Sequence, residues 1–116
     1  MLDLNSKKAK SIVNHKKAKI FIVRYHYKTK VMKATIKDFT GYANLMMIRV
    51  KDDQKVLINY KVTSGVCALA YTQKDQFHVI AQETFNEEVV LNVKKGFMRF
   101  RVIGNDASIA LTMTLI

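Results

Sequence analysis

The chain contains no proline and only four glycines in 116 residues. Average usage would give about six prolines in this length. Without them, the residue that commonly guards exposed strand edges is missing, and exposed lysines are left to do that work. A single cysteine, Cys67, excludes an intramolecular disulfide and fits a reducing compartment. It lies in the apolar run 66–70 with no base beside it, so it reads as a small buried hydrophobe and not as a nucleophile. No segment approaches the ~20 apolar residues of a membrane-spanning helix. Residues 1–18 lack the apolar stretch that a secretory signal needs. These absences predict a soluble, cytoplasmic chain, or an exported one if a signal sequence has been removed.

Catalytic signatures are scarce as well. His15, His26 and His78 are far apart, with no cysteine or carboxylate at ligand spacing, so no metal site is expected. Asp52 with Asp53 and Glu87 with Glu88 are the only adjacent acids. Neighbours on a strand point to opposite faces, whereas glycosidic chemistry needs two carboxyls opposed across a cleft. There is no phosphate-cradling glycine loop and no nucleophile elbow. The residues therefore predict no catalytic group and no cofactor.

What the chain has is unevenly placed charge. Twenty Lys and Arg stand against nine acids, a formal net charge of +11. Residues 1–37 hold eleven of the cations and one acid, Asp3; residues 38–116 are almost neutral. A basic N-terminal part on a nearly neutral body points to an anionic partner: nucleic acid, an anionic membrane surface or another acidic polymer. Residues 1–18 read as a flexible basic tail with at most a short helix, because their apolar face is thin. Lys7, Lys8, Lys10, Lys16 and Lys17 are its candidate anion-binding residues.

The rest, 19–116, is 98 residues of ordinary globular texture and predicts one β domain. Strand-like runs cover 20–27, 31–36, 43–50, 56–62, 66–71, 77–82, 88–93, 97–103 and 108–116. The polar segments 51–55, 72–76 and 104–107 read as hairpin turns. In the last run Ile109, Leu111, Met113 and Leu115 alternate with Ser108, Ala110, Thr112 and Thr114. In the run before it Met98, Phe100 and Val102 alternate with Arg99 and Arg101, which are expected to face solvent. Period-two patterning with one polar face marks antiparallel sheet that is wet on one side. Eight or nine short strands at this spacing predict an all-β antiparallel sandwich, immunoglobulin-like or jelly-roll-like.

Lys95-Gly96-Phe97 resembles the opening of the RNP1 motif of RNA-recognition domains and the Lys-Gly-Phe of cold-shock domains. Met98 then stands where a small residue belongs and Arg99 where an aromatic does, so the stacking pair is lost. The segment reads as a turn followed by an amphipathic strand. Its outward groups, Phe97, Arg99 and Arg101, are candidates for surface binding of a ligand, a protein partner or a second copy. The leading expectation is a non-enzymatic binding or structural module with a basic arm. The alternatives are a nucleic-acid-binding β protein that uses that arm and the Arg99/Arg101 face, and a small enzyme of unknown chemistry.

Overall fold

The computed structural model describes residues 15–74 and 76–116. The chain is all-β. Its strands are β1 (His15–Lys17), β2 (Ile20–His26), β3 (Val31–Val50), β4 (Gln54–Gln73), β5 (Gln76–Ala81), β6 (Phe85–Leu91) and β7 (Gly96–Leu115). No helix of the described residues is long and apolar enough to cross a membrane. All pairings are antiparallel and belong to one sheet of order β1-β3-β7-β4-β5, with β2 also on β3 and β6 also on β4.

Three strands, β3, β4 and β7, are each 20 residues long. At about 3.3 Å per residue such a strand would extend ~66 Å. The molecule's longest dimension is 35 Å, so all three must bend near their middles. They bend side by side. Both ladders of β7 shift register there: with β3 between Ile36 and Gly41, and with β4 between Val62 and Val66. Asp38 (φ 51°), Gly65 (φ 69°) and Asp106 (φ 49°) supply the left-handed backbone that bulges use. Side chains collect the backbone groups released at the crease. The Asp38 N–H donates to Ser108 Oγ at 3.2 Å, the Asp106 N–H to Thr40 Oγ1 at 3.0 Å, and Thr63 Oγ1–H to the Ser108 carbonyl at 3.0 Å.

The crease divides the sheet into two halves. The first contains β2, the start of β3, the end of β7, the start of β4, and β6. The second contains the end of β3, the start of β7, the end of β4, and β5, with β1 beside the crease on Thr40–Tyr42. Met32, Ile36, Ile58 and Met113 of the first half share one apolar core with Leu45, Leu69, Met98 and Phe100 of the second. Phe39 lies at the crease, fully buried, with Phe21 edge-on to it at 5.7 Å.

This differs from the expected string of short strands at two hairpins. Segment 104–107 is not a turn: β7 runs through it, because its Asn and Asp serve a bulge as well as they serve a reversal. Segment 51–55 joins β3 to β4, but the two do not pair, since β7 lies between them. The expected 72–76 turn does close a hairpin, from Gln73 to Gln76. Residues 15–17 of the expected tail are paired into the sheet.

Gly65 is the tightest point of the crease. A Cβ there would stand 2.1 Å from the Asp106 carbonyl oxygen, on a φ that side chains rarely adopt. Gly96 also has positive φ, but a Cβ there meets nothing within 4 Å. Gly65→Ala should therefore destabilise by about 3 kcal/mol or more, and Gly96→Ala by about 1–2. Thermal melts check the order, at roughly 4–8 °C per kcal/mol. Equal melting points would place the bend elsewhere.

Candidate anion-binding face

The two halves differ on the side turned away from the core. In the second half that side is itself covered at its centre: Ala68, Ala70, Thr72, Arg101 and Ile103 are all buried, although none belongs to the core cluster. Only its margins stay open, where Phe97 is 59% and Met47 53% exposed.

The candidates on this strand therefore separate. Phe97 lies on the surface with the Arg49 guanidinium 5.9 Å from its ring centroid. Arg99 is half-buried, its Nη2 3.4 Å from Met47 Sδ. Arg101, expected in solvent, is 0% exposed and donates from Nη1 to Asn44 Oδ1. Alternation placed it correctly opposite Phe100; what the pattern cannot report is that this face is covered too. Burial first, and then the neighbouring Arg99 charge, lower its proton affinity below the ordinary arginine value. It therefore cannot serve as a free surface cation.

Of the N-terminal candidates, Lys7, Lys8 and Lys10 lie outside the described residues. Lys16 pairs through its backbone with Gly41, and Lys17 is exposed opposite Thr40.

The first half is bare on the corresponding side. Cross-strand register arranges its exposed residues in rows. Arg24 is opposite Lys33, which is opposite Thr112, then Asn59 and Asn86. The next row runs Ile22, Thr35, Ala110, Lys61. Lys37 stands opposite Ile20 near the crease, and Lys55 is bonded to Glu88 at 3.1 Å near the far end. Five strands at ~4.8 Å make this face about 19 Å wide. Its cations are Arg24, Lys33, Lys37, Lys55 and Lys61, and its acid is Glu88. Arg24, Lys33, Lys37 and Lys61 make no ion pair with any described residue.

These four were not among the sequence candidates, though a signal existed. Lys33, Thr35 and Lys37 alternate with the buried Met32, Ala34 and Ile36. That is the period-two mark of a solvent face, although in the sequence this charge is contiguous with that of the basic N-terminal part.

Cys67 is buried, and burial pushes its thiol up to about 11. The neighbouring Tyr60 hydroxyl, raised in the same sense by burial, donates to the Cys67 carbonyl oxygen at 2.7 Å. Among the described residues no group of three or more His, Cys, Asp or Glu is placed to hold a metal ion.

No family model matches the chain, and no curated protein matches it. Two solved structures are weakly similar. The crystal structure of Drosophila melanogaster CENP-C bound to CAL1 aligns over 83% of this chain and 76% of that one, at 12% identity and a TM-score of 0.41. A protein of unknown function (DUF1255) from Acidithiobacillus ferrooxidans aligns over 82% and 90%, at 8% identity and a TM-score of 0.28.

Two expectations follow. Arg101→Ala should cost about 2 kcal/mol or more, since it empties a buried site and strips Asn44 of a donor, whereas Arg99→Ala should stay within about 1. Chemical denaturation of the two variants checks the ranking, and equal costs would contradict the burial of Arg101. For Cys67 the folded thiol holds its proton more tightly than the unfolded one. Its contribution is complete below the ordinary thiol value of 9.0 and is lost as pH climbs from there through about 11. The stability of the parent should fall more steeply between those limits than that of Cys67→Ala; parallel profiles would show an accessible thiol.

Proposed function

We propose that this chain is a non-enzymatic β module that binds an anionic polymer through the bare face of its first half. What supports the reading most is the direct opposition of Arg24 and Lys33 across the β2–β3 ladder. Like charges at directly opposed positions are destabilising. Lys37 and Lys61 add to the same unpaired positive field, and nothing on the face but Glu88 offsets it. An anion laid across these side chains would relieve that repulsion. The lysines between residues 7 and 17 add to the attraction.

The inward side chains of the two halves share one core, which favours a sandwich-like packing in which bent strands serve both layers. A second reading, a protein contact at the far end of the molecule, is favoured by the exposure of Phe97 and Met47 beside Arg49 and Arg99.

If the cations serve binding at the expense of the fold, the two properties should separate on substitution. Lys33→Thr should raise the melting temperature by a few degrees, from about 0.2–1 kcal/mol of relieved repulsion. The same variant should elute from a heparin column at lower salt than the parent. A parent that is not retained by heparin at ~50 mM salt, where screening is weak, would end the proposal. So would a Lys33→Thr variant retained as strongly as the parent.

A further inference from the structure

Resting on the proposed anionic partner, we infer that the bare face takes the backbone of double-stranded nucleic acid, read by its phosphates and not by its bases. Three features of the face select this partner. First, the cations are dispersed. Arg24 and Lys33 are on adjacent strands, Lys37 is four residues along from Lys33, and Lys61 is two strands over. These offsets amount to ~5, ~13 and ~10 Å from strand geometry. A small anion would engage one or two such groups, whereas a chain of regularly spaced phosphates engages them all.

Second, the positions between the cations carry short polar side chains: Thr35, Thr112 and Asn59. Hydroxyls and amides of this kind donate to phosphate oxygens without reading sequence. Third, the face carries no Phe, Tyr or Trp side chain, and its one imidazole, His26, stands opposite Val31 at the strand end. Tyr25 is opposite the core residue Met32 and so points to the other side, and Tyr27 is in the turn beyond the strand end. Sequence-tolerant binding of single strands relies on a succession of aromatic platforms for base stacking, and this face offers only the imidazole at its edge. An interfacial membrane site also favours aromatics amid its apolar groups. Here the exposed large apolar groups, Ile20 and Ile22 on β2, Leu57 on β4 and Val90 on β6, are all aliphatic.

The test is fluorescence anisotropy of the full chain with a labelled 20-base-pair DNA duplex, with its single strand, and with phosphatidylserine vesicles as competitor. The comparison protein carries Arg24→Gln, Lys33→Gln, Lys37→Gln and Lys61→Gln together, and circular dichroism verifies its fold. If it melts early, the pair Arg24→Gln and Lys33→Gln replaces it. The expected result is duplex binding about tenfold or more tighter than single-strand binding. About four phosphate contacts on this face should weaken duplex binding roughly 100-fold between 50 and 200 mM salt. The four-site variant should lose most of that salt dependence and at least about tenfold in affinity at ~50 mM salt. Equal or tighter single-strand binding that the variant abolishes would overturn the duplex inference while leaving the anionic partner standing. Vesicle binding without duplex binding would overturn it in the same way. Duplex binding that the variant retains in full would overturn both.

Discussion

Three strands that are longer than the molecule impose the main constraint on this structure. β3, β7 and β4 cannot run straight, and because they are hydrogen-bonded neighbours they must bend at the same level. The crease works only if backbones and rings approach closely there. Gly65 lets β4 come against the Asp106 carbonyl, and Gly104 leaves room for Phe39, whose ring would stand 2.6 Å from an added Cβ. Phe39 fills the inside of the bend, while Ser108, Thr40 and Thr63 collect hydrogen bonds at its bulges. Inward side chains from both sides of the crease thereby join one core, and among the described residues no helix contributes to it.

The same bend makes the two outer faces unequal. Beyond the crease in one direction the outer surface is covered at its centre, deeply enough to enclose an arginine side chain. In the other direction five strands present their outward residues to water. Cations accumulate on the uncovered side, two of them in direct opposition. A solubilising surface needs dispersed charge of both signs; this one concentrates a single sign on a regular lattice of backbone positions. That regularity is what a repeating anionic polymer can match.

How far the sequence could be read depended on which side of each strand a signal reports. Inward alternation was decisive: Met98, Phe100 and Val102, and likewise Ile109, Leu111 and Met113, are buried as their spacing predicts. Outward alternation fixes orientation but not exposure, which is why Arg101 is enclosed while Lys33, at an equivalent outward position, is open. Turn composition was ambiguous for a related reason. Gly104-Asn105-Asp106-Ala107 has the chemistry of a reversal, and a bulge in a continuous strand asks for the same left-handed residues. Only long-range pairing distinguishes the two, and partners as distant in sequence as Gly41 from Gly104 and Phe39 from Ala107 leave no local trace. The basic face was legible in the alternation of Lys33, Thr35 and Lys37, but its other members come from β2 and β4 and meet only through the sheet.

If the uncovered half of the bent sheet meets an anionic polymer, its backbone amides should report the contact. Amide chemical-shift mapping during titration with a DNA duplex tests it residue by residue. Perturbations are expected on β2, on β3 from Val31 to Lys37, on β7 from Ser108 to Thr114 and on β4 from Leu57 to Lys61. Perturbations centred on Phe97–Ile103 and β5, or none at any concentration, would contradict it.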